Sequence, residues 1–163
     1  MTERHTITPI YDQNSRILIL GSFPSVRSRE VGFYYGHPQN RFWRTLAHVF
    51  DAEIPRSTDE KKAFLLSHGI ALWDVIAACE IEGSSDASIR GAIPNDIAKI
   101  LREAPIEAIF TNGATAHKLY RKLVEKQLGR SAILLPSTSP ANAARTQENL
   151  DAAWSVIAKS GSR

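Results

Sequence analysis

The stretch Arg16-Ile17-Leu18-Ile19-Leu20-Gly21-Ser22-Phe23-Pro24 decides the fold. Four apolar residues in a row, with no polar alternation, describe a strand buried on both faces. Glycine and proline then end it in a tight turn. Working outward, Ile70–Val75, Ile106–Thr111 and Ser131–Leu135 read as three further short strands. Helical spacing separates them. Arg41–Phe50 carries Phe42, Leu46, Val49 and Phe50 on one face, and Thr58–Ser67 starts at a capping Ser57 or Thr58 and stops before Gly69. Further helices are expected from Pro94 to Ala104, from Gly113 to Lys126 and from Thr146 to Ala158. Ile81–Ile93, with Gly83, Ser84, Ser85 and Gly91, reads as a loop. Strands alternating with helices predict an α/β three-layer sandwich: a short, mostly parallel four-stranded central sheet flanked by helices. No repeat or linker divides the chain, so residues 1–163 are expected to form one domain.

Composition narrows the function classes. With 163 residues, 43% hydrophobic and 23% charged, the chain can bury a core and is neither a disordered tail nor a fibre. Its apolar runs are too short for a transmembrane helix. Met1–Ile10 lacks the apolar centre and cleavage site of a signal peptide, so a cytoplasmic protein is expected. The single cysteine, Cys79, can make neither an internal disulfide nor a four-cysteine zinc or iron–sulfur site, and none of the five histidines is spaced as a metal pair. No metal or cofactor is expected. Charge is uneven: residues 1–50 hold six Lys/Arg against three acids, 51–110 six against eleven, and 111–163 eight against three. Two basic ends brought to one face would suit a polyanion.

Ligands of parallel sheets collect where strands end. Three segments leave such ends, and the unusual residues are concentrated there. The first, Gly21–Asn40, is too long for a plain connection. Its Ser22, Ser25 and Ser28 offer hydroxyls, and Arg27 and Arg29 offer positive charge. Phe33, Tyr34 and Tyr35 offer flat faces that either stack on a base or join the core, with at least one tyrosine expected to be exposed for stacking. Asn40 either caps the next helix or holds a water or substrate group. In the second segment, Asn112 is either a cap or a carboxamide matched to a nucleobase edge. The third, Pro136–Asn142, is a stiff loop of small residues able to approach a phosphate closely.

Gly21-Ser22-Phe23-Pro24, Tyr35, Asn40-Arg41-Phe42-Trp43, Asn112 and Pro136-Ser137-Thr138-Ser139-Pro140, in that order, resemble the motifs of the uracil-DNA glycosylase superfamily. With Leu72-Trp73-Asp74-Val75 and Gly83-Ser84-Ser85-Asp86, the set is most similar to its hypoxanthine-DNA (deoxyinosine) glycosylase branch. The resemblance spans about Arg16 to Asn149. It implies hydrolysis of the N-glycosidic bond of deoxyinosine in DNA, on a base flipped from the stack, by a monomer that touches no membrane. A mismatch uracil glycosylase and a non-catalytic nucleic-acid-binding module are the alternatives. Two positions depart from the common pattern. Phe23 stands where most members carry a polar catalytic residue, and Ser137 where the classical uracil enzymes carry a histidine.

The resemblance puts the catalytic load on Asn40. It implies Tyr35 stacking on the flipped base, with Phe23, Asn112 and Ser137 around it. Ser22, Ser25, Arg27, Arg29 and Ser139 would meet the DNA, and Pro140, Ala141 and Asn142 would form the tip that fills the vacated space. Asp74 and Asp86 could supply a carboxylate base, but surface or capping roles are expected for them.

Overall fold

The computed structural model describes residues 2–160. In chain order the strands are β1 (Thr2–Arg4), β2 (Ile17–Gly21), β3 (Ile70–Asp74), β4 (Ile76–Glu80), β5 (Arg90–Pro94), β6 (Ala108–Asn112) and β7 (Ile133–Leu135). The helices are α1 (Val26–Val31), α2 (Phe42–Val49), α3 (Thr58–Ser67), α4 (Ile97–Glu103), α5 (Ala114–Tyr120), α6 (Lys126–Leu128), α7 (Gln147–Trp154) and α8 (Val156–Ser160), with a π-helical turn at Arg121–Glu125 joining α5 to α6.

The central sheet has the order β3-β2-β6-β7, and every pairing in it is parallel. β2 is buried at all five positions, as its unbroken apolar run requires. Its alternate residues serve two cores. Ile17 and Ile19 face Phe42, Leu46, Leu65 and Trp154 on the side of α2, α3 and α7. Leu18 and Leu20 face Ile97, Ile100, Tyr120 and Val124 on the side of α4 and α5. Burying each such side chain contributes about 1.5–3 kcal/mol, so the two-sided strand anchors both outer layers. Ser57 starts α3 with a complete capping box: its side chain accepts from Glu60 N–H, and Glu60 returns a bond to Ser57 N–H.

Two expectations are corrected. A second sheet, β1-β4-β5, is antiparallel and was not expected at all. It takes Pro94 as the last residue of β5, so the helix expected from Pro94 starts at Ile97, and the expected loop Ile81–Ile93 holds a 3₁₀ turn at Asp86–Ser88 and most of β5. Second, Val26–Val31 within the long first loop is helical, capped by Ser25 and ended by Gly32 at φ 73°. The strand expected at Ser131–Leu135 is present as β7 at the sheet edge: Leu135 is buried, and Ile133 and Leu134 are about half exposed.

The chain leaves β2 toward β3 on one side and reaches β6 on the other. Connections that diverge in this way open a crevice at the carboxyl ends of the two strands.

Candidate active site

A cavity of about 1010 Å3 lies over that crevice. Its walls come from the β2 turn (Gly21–Ser25), the following loop (Tyr34, Tyr35, His37, Asn40), the end of β3 (Asp74), the Ser84–Ala87 loop, the end of β6 (Asn112) and the Leu134–Asn142 segment. All three segments singled out from the sequence therefore meet in one place. The volume lies at the upper end of the range of small-molecule sites.

The sheet register aligns the strand ends. Gly21 pairs with Asp74, Leu20 with Thr111, and Asn112 with Leu135. Asp74 and Asn112 thus stand on either side of Gly21, which has no side chain. A methyl group there would collide with Asp74 Oδ1 and would come within 2.9 Å of the Tyr35 hydroxyl. Glycine makes the notch that receives both oxygens.

Asp74 is nearly fully buried, which corrects the surface or capping role expected for it. Its Oδ2 lies 2.8 Å from His5 Nε2, and both side chains are at most 5% exposed. A carboxylate only accepts, so Nε2 carries the hydrogen. The His5 ring is held by edge contacts to Phe23 and Trp73. His5 was not anticipated, because it arrives from a segment 69 residues away from Asp74.

Tyr34 belongs to the core, where its hydroxyl donates to Thr8 O at 2.8 Å. Phe33 is also core and stacks on Trp43. Tyr35 is different. Its ring stacks on Phe42 with centroids 4.0 Å apart, and its backbone sits at φ 52°, a strained conformation for a bulky residue. Its hydroxyl is buried and has no partner in full hydrogen-bond geometry, although the Asn112 side chain is close enough to favour its charged form. Burial raises its pKa, the Asp74 charge adds to the rise, and the Asn112 side chain opposes it. Three buried side-chain polar atoms among the described residues lack a partner, and Tyr35 is the one of these residues that lines the cavity. An unpaired buried polar atom at a cavity wall is suited to a ligand atom.

Asn40 lies one residue before Arg41, the cap of α2, and its Oδ1 accepts from Phe42 N–H at 3.0 Å. Its Nδ2 makes no hydrogen bond within the described residues, so the donating end of the amide is free at the cavity wall. Both roles weighed for Asn40 are therefore compatible: the oxygen supports the helix start and leaves the nitrogen without a protein partner.

Asn112 is committed more fully. Its Nδ2 donates to Thr138 Oγ1 at 3.0 Å, and its Oδ1 accepts from Thr138 N–H at 3.1 Å. This clasp holds the Pro136–Asn142 loop against β6. Arg41 completes the hold by donating to Asn142 O and Arg145 O, and Trp154 Nε1 donates to Pro136 O. Ser137 Oγ accepts from Ser139 N–H, and Ser139 Oγ from Ala141 N–H at the start of the 3₁₀ turn Pro140–Asn142.

The hydroxyls and guanidinium groups expected to meet DNA have protein partners. Ser22 Oγ donates to Asp86 Oδ1 at 2.8 Å. Ser25 caps α1. Arg29 donates to Pro24 O and Gly83 O, pairs with Glu3 and lies over the Phe23 ring. Arg27 is exposed beside Glu30. Neither Arg27 nor Arg29 lines the cavity, whereas Arg145, not among the expected DNA contacts, does. Among the described residues no group of His, Cys, Asp and Glu side chains could hold a metal ion. None of their helices is long and apolar enough to cross a membrane.

This geometry agrees with what the chain is related to. A family model described as the uracil DNA glycosylase superfamily matches residues 8–158. The chain belongs to that superfamily. A hypoxanthine DNA glycosylase of Methanosarcina acetivorans is 37% identical over 150 residues, 91% of this chain and 93% of the relative. One of Methanosarcina barkeri is 31% identical over 153 residues, 93% of this chain and 95% of the relative. The solution NMR structure of a candidate uracil DNA glycosylase from Methanosarcina acetivorans superimposes with a TM-score of 0.79 at 31% identity, covering 96% of this chain and 99% of that one.

Proposed function

We propose that this chain is a DNA glycosylase that hydrolyses the N-glycosidic bond of deoxyinosine and releases hypoxanthine. The observation that carries the reading is the notch at Gly21. There a Tyr35 hydroxyl without a partner in hydrogen-bond geometry and a buried Asp74 carboxylate line a cavity roomy enough for a flipped nucleotide at the strand ends. The two relatives named as hypoxanthine DNA glycosylases support the choice of base.

A base inside a duplex cannot reach such a cavity, so the nucleotide must be flipped out of the stack. Tyr35, backed by Phe42, supplies the flat wall for the base, and Phe23 closes the pocket. Asn40 Nδ2 is the free donor for the attacking water or the departing base. As the C1′–N9 bond lengthens, the sugar gains positive charge, and preorganised polar groups lower the barrier by favouring that charge. The braced 3₁₀ turn Pro140–Asn142 is the rigid element available to enter the stack, with Ser137 and Ser139 in the same loop. In this reading residues 1–163 act as one domain and a monomer on DNA in the cytoplasm.

The test is incubation with duplexes carrying inosine, uracil, xanthine or no lesion, followed by alkaline cleavage. Strand breaks confined to, or fastest at, inosine are expected. Preferential cleavage at uracil would favour the mismatch uracil reading, for which the structural likeness to a candidate uracil enzyme speaks. No cleavage with retained DNA binding would mark a non-catalytic module.

A further inference from the structure

Asp86 occupies a position that its loop alone does not explain. The residue is exposed overall, yet its carboxyl faces the cavity, where Ser22 Oγ donates to Oδ1 at 2.8 Å. The loop is tied down nearby. Val26 N–H donates to Ser84 Oγ at 2.9 Å, and Arg29 Nη2 donates to Gly83 O at 2.6 Å. The loop is therefore fastened to the turn that follows β2. Asp86 itself makes no ion pair among the described residues, and Asp74 presents a second carboxylate to the same cavity.

Two carboxylates in a cavity that receives a polyanion oppose binding by like-charge repulsion. That cost is offset only where positive charge develops or a proton must be taken up. Hydrolysis of a glycosidic bond has both requirements, and the other groups lining the cavity do not meet the second. His37 accepts Gln39 N–H on Nδ1, which leaves Nε2 carrying the hydrogen. Phe23 has no polar atom. An amide such as Asn40 is too weak a base to take a proton from water, and its oxygen already holds Phe42 N–H. Asp74 Oδ2 is occupied by His5, and its Oδ1 is sunk in the Gly21 notch.

We infer that Asp86 is a catalytic residue of this site, the general base that takes a proton from the attacking water, and that Ser22 is the positioning residue that orients it. The inference rests on the glycosylase reading. In the step, the water oxygen bonds to C1′ of the sugar, and the C1′–N9 bond breaks with its electron pair leaving on the base. One water proton passes to Asp86, and the departing base takes up a proton from solvent. Release of the proton from Asp86 restores the carboxylate, and the sum is hydrolysis.

The surroundings suit a base. Burial of the carboxyl raises its pKa, the Ser22 hydrogen bond works against the rise, and the Asp74 charge adds to it. The titratable groups facing it are Asp74 on β3 with its partner His5, the Tyr35 hydroxyl from the loop after β2, and Cys79 on β4. Arg29 on α1 is nearby, but its guanidinium is engaged by Glu3, Pro24 O and Gly83 O. A base with a raised pKa is active only when deprotonated. The excision rate should therefore climb with pH through a value above the ordinary aspartate range and then level off.

The experiment is single-turnover excision from an inosine duplex across an acid-to-neutral pH series, with melting curves and DNA affinity for each variant. Asp86→Asn should slow excision by roughly 10²–10⁴-fold and remove the climb with pH. It should melt like the parent and bind DNA as tightly or more tightly, because a negative charge has gone. Asp86→Glu should keep the climb with part of the rate. Ser22→Ala should move the climb to higher pH, since its hydrogen bond favours the charged form. A folded Asp86→Asn protein with the parent's rate and pH profile overturns the role of Asp86 while leaving the glycosylase reading intact. A wild-type protein that excises no base from any duplex overturns both.

Discussion

The two carboxamides of the site, Asn40 and Asn112, have the same chemistry and opposite circumstances. Asn112 spends both ends of its amide on Thr138 and so fastens the last loop to β6. Asn40 spends only its oxygen, on the start of α2, and leaves its nitrogen at the cavity wall. The same contrast separates the two sides of the cavity. Around Thr138 the polar atoms satisfy one another, while around Gly21 the Tyr35 hydroxyl is buried and unpaired. A satisfied network fixes shape, and an unsatisfied one keeps capacity for a ligand. The difference teaches that residue type does not reveal whether an asparagine is a fastener or a reagent. Its partners do.

Three substitutions test that division. The largest effect is expected at Asn40. Asn40→Ala should lower single-turnover excision of hypoxanthine by roughly 10²–10³-fold, the cost of removing one preorganised polar group, with DNA affinity nearly intact. If the folded variant works at the parent rate, Asn40 only supports the helix, and its contrast with Asn112 collapses. Next comes Asn112→Ala, which strands the buried Thr138 N–H and hydroxyl. Roughly 1–3 kcal/mol of stability should be lost, read as a lower denaturant midpoint, with DNA affinity reduced as the Pro136–Asn142 loop loosens. Unchanged stability with excision abolished would move Asn112 to the reagent side. The smallest change is expected from Tyr35→Phe. Removing an unpaired buried hydroxyl should leave the free protein as stable or raise its stability by about 1 kcal/mol. Base stacking should persist, so only a modest loss of excision is expected. A variant that is clearly less stable would show that the hydroxyl has a partner in the free protein.

Much of the site was legible because it sits on the ends of strands that announce themselves. The Ile17–Leu20 run must be buried on both faces, so Gly21 had to end a central strand, and the long segment after it had to cross the ligand edge of the sheet. The three segments chosen on that ground do converge. Less legible were the uses of individual side chains. Arg29, Ser22 and Ser25 looked like phosphate contacts, yet each is turned to a protein partner, because a hydrogen bond or ion pair within the fold is indistinguishable in sequence from one to a ligand. The small antiparallel sheet was missed for a related reason. β1 is Thr-Glu-Arg and β5 is Arg-Gly-Ala-Ile-Pro, neither with the alternation that marks a strand, and both owe their form to pairing with β4.

The sequence by itself determined the parallel sheet, the helices packed on it, the superfamily and the edge at which ligands gather, since these follow from local runs of side chains and from motifs in fixed order. Only the tertiary structure decided that His5 meets Asp74, that Asp86 reaches Ser22, that Asn112 clasps Thr138 and that Tyr35 keeps a free hydroxyl beside Gly21. The first three pairs join residues 69, 64 and 26 positions apart, and Tyr35 lies 39 residues before Asp74. Polar side chains carry no periodic signal of their partners. Their roles are set when the buried strands bring distant segments together, because a desolvated polar group must then be paired inside the fold or left for a ligand.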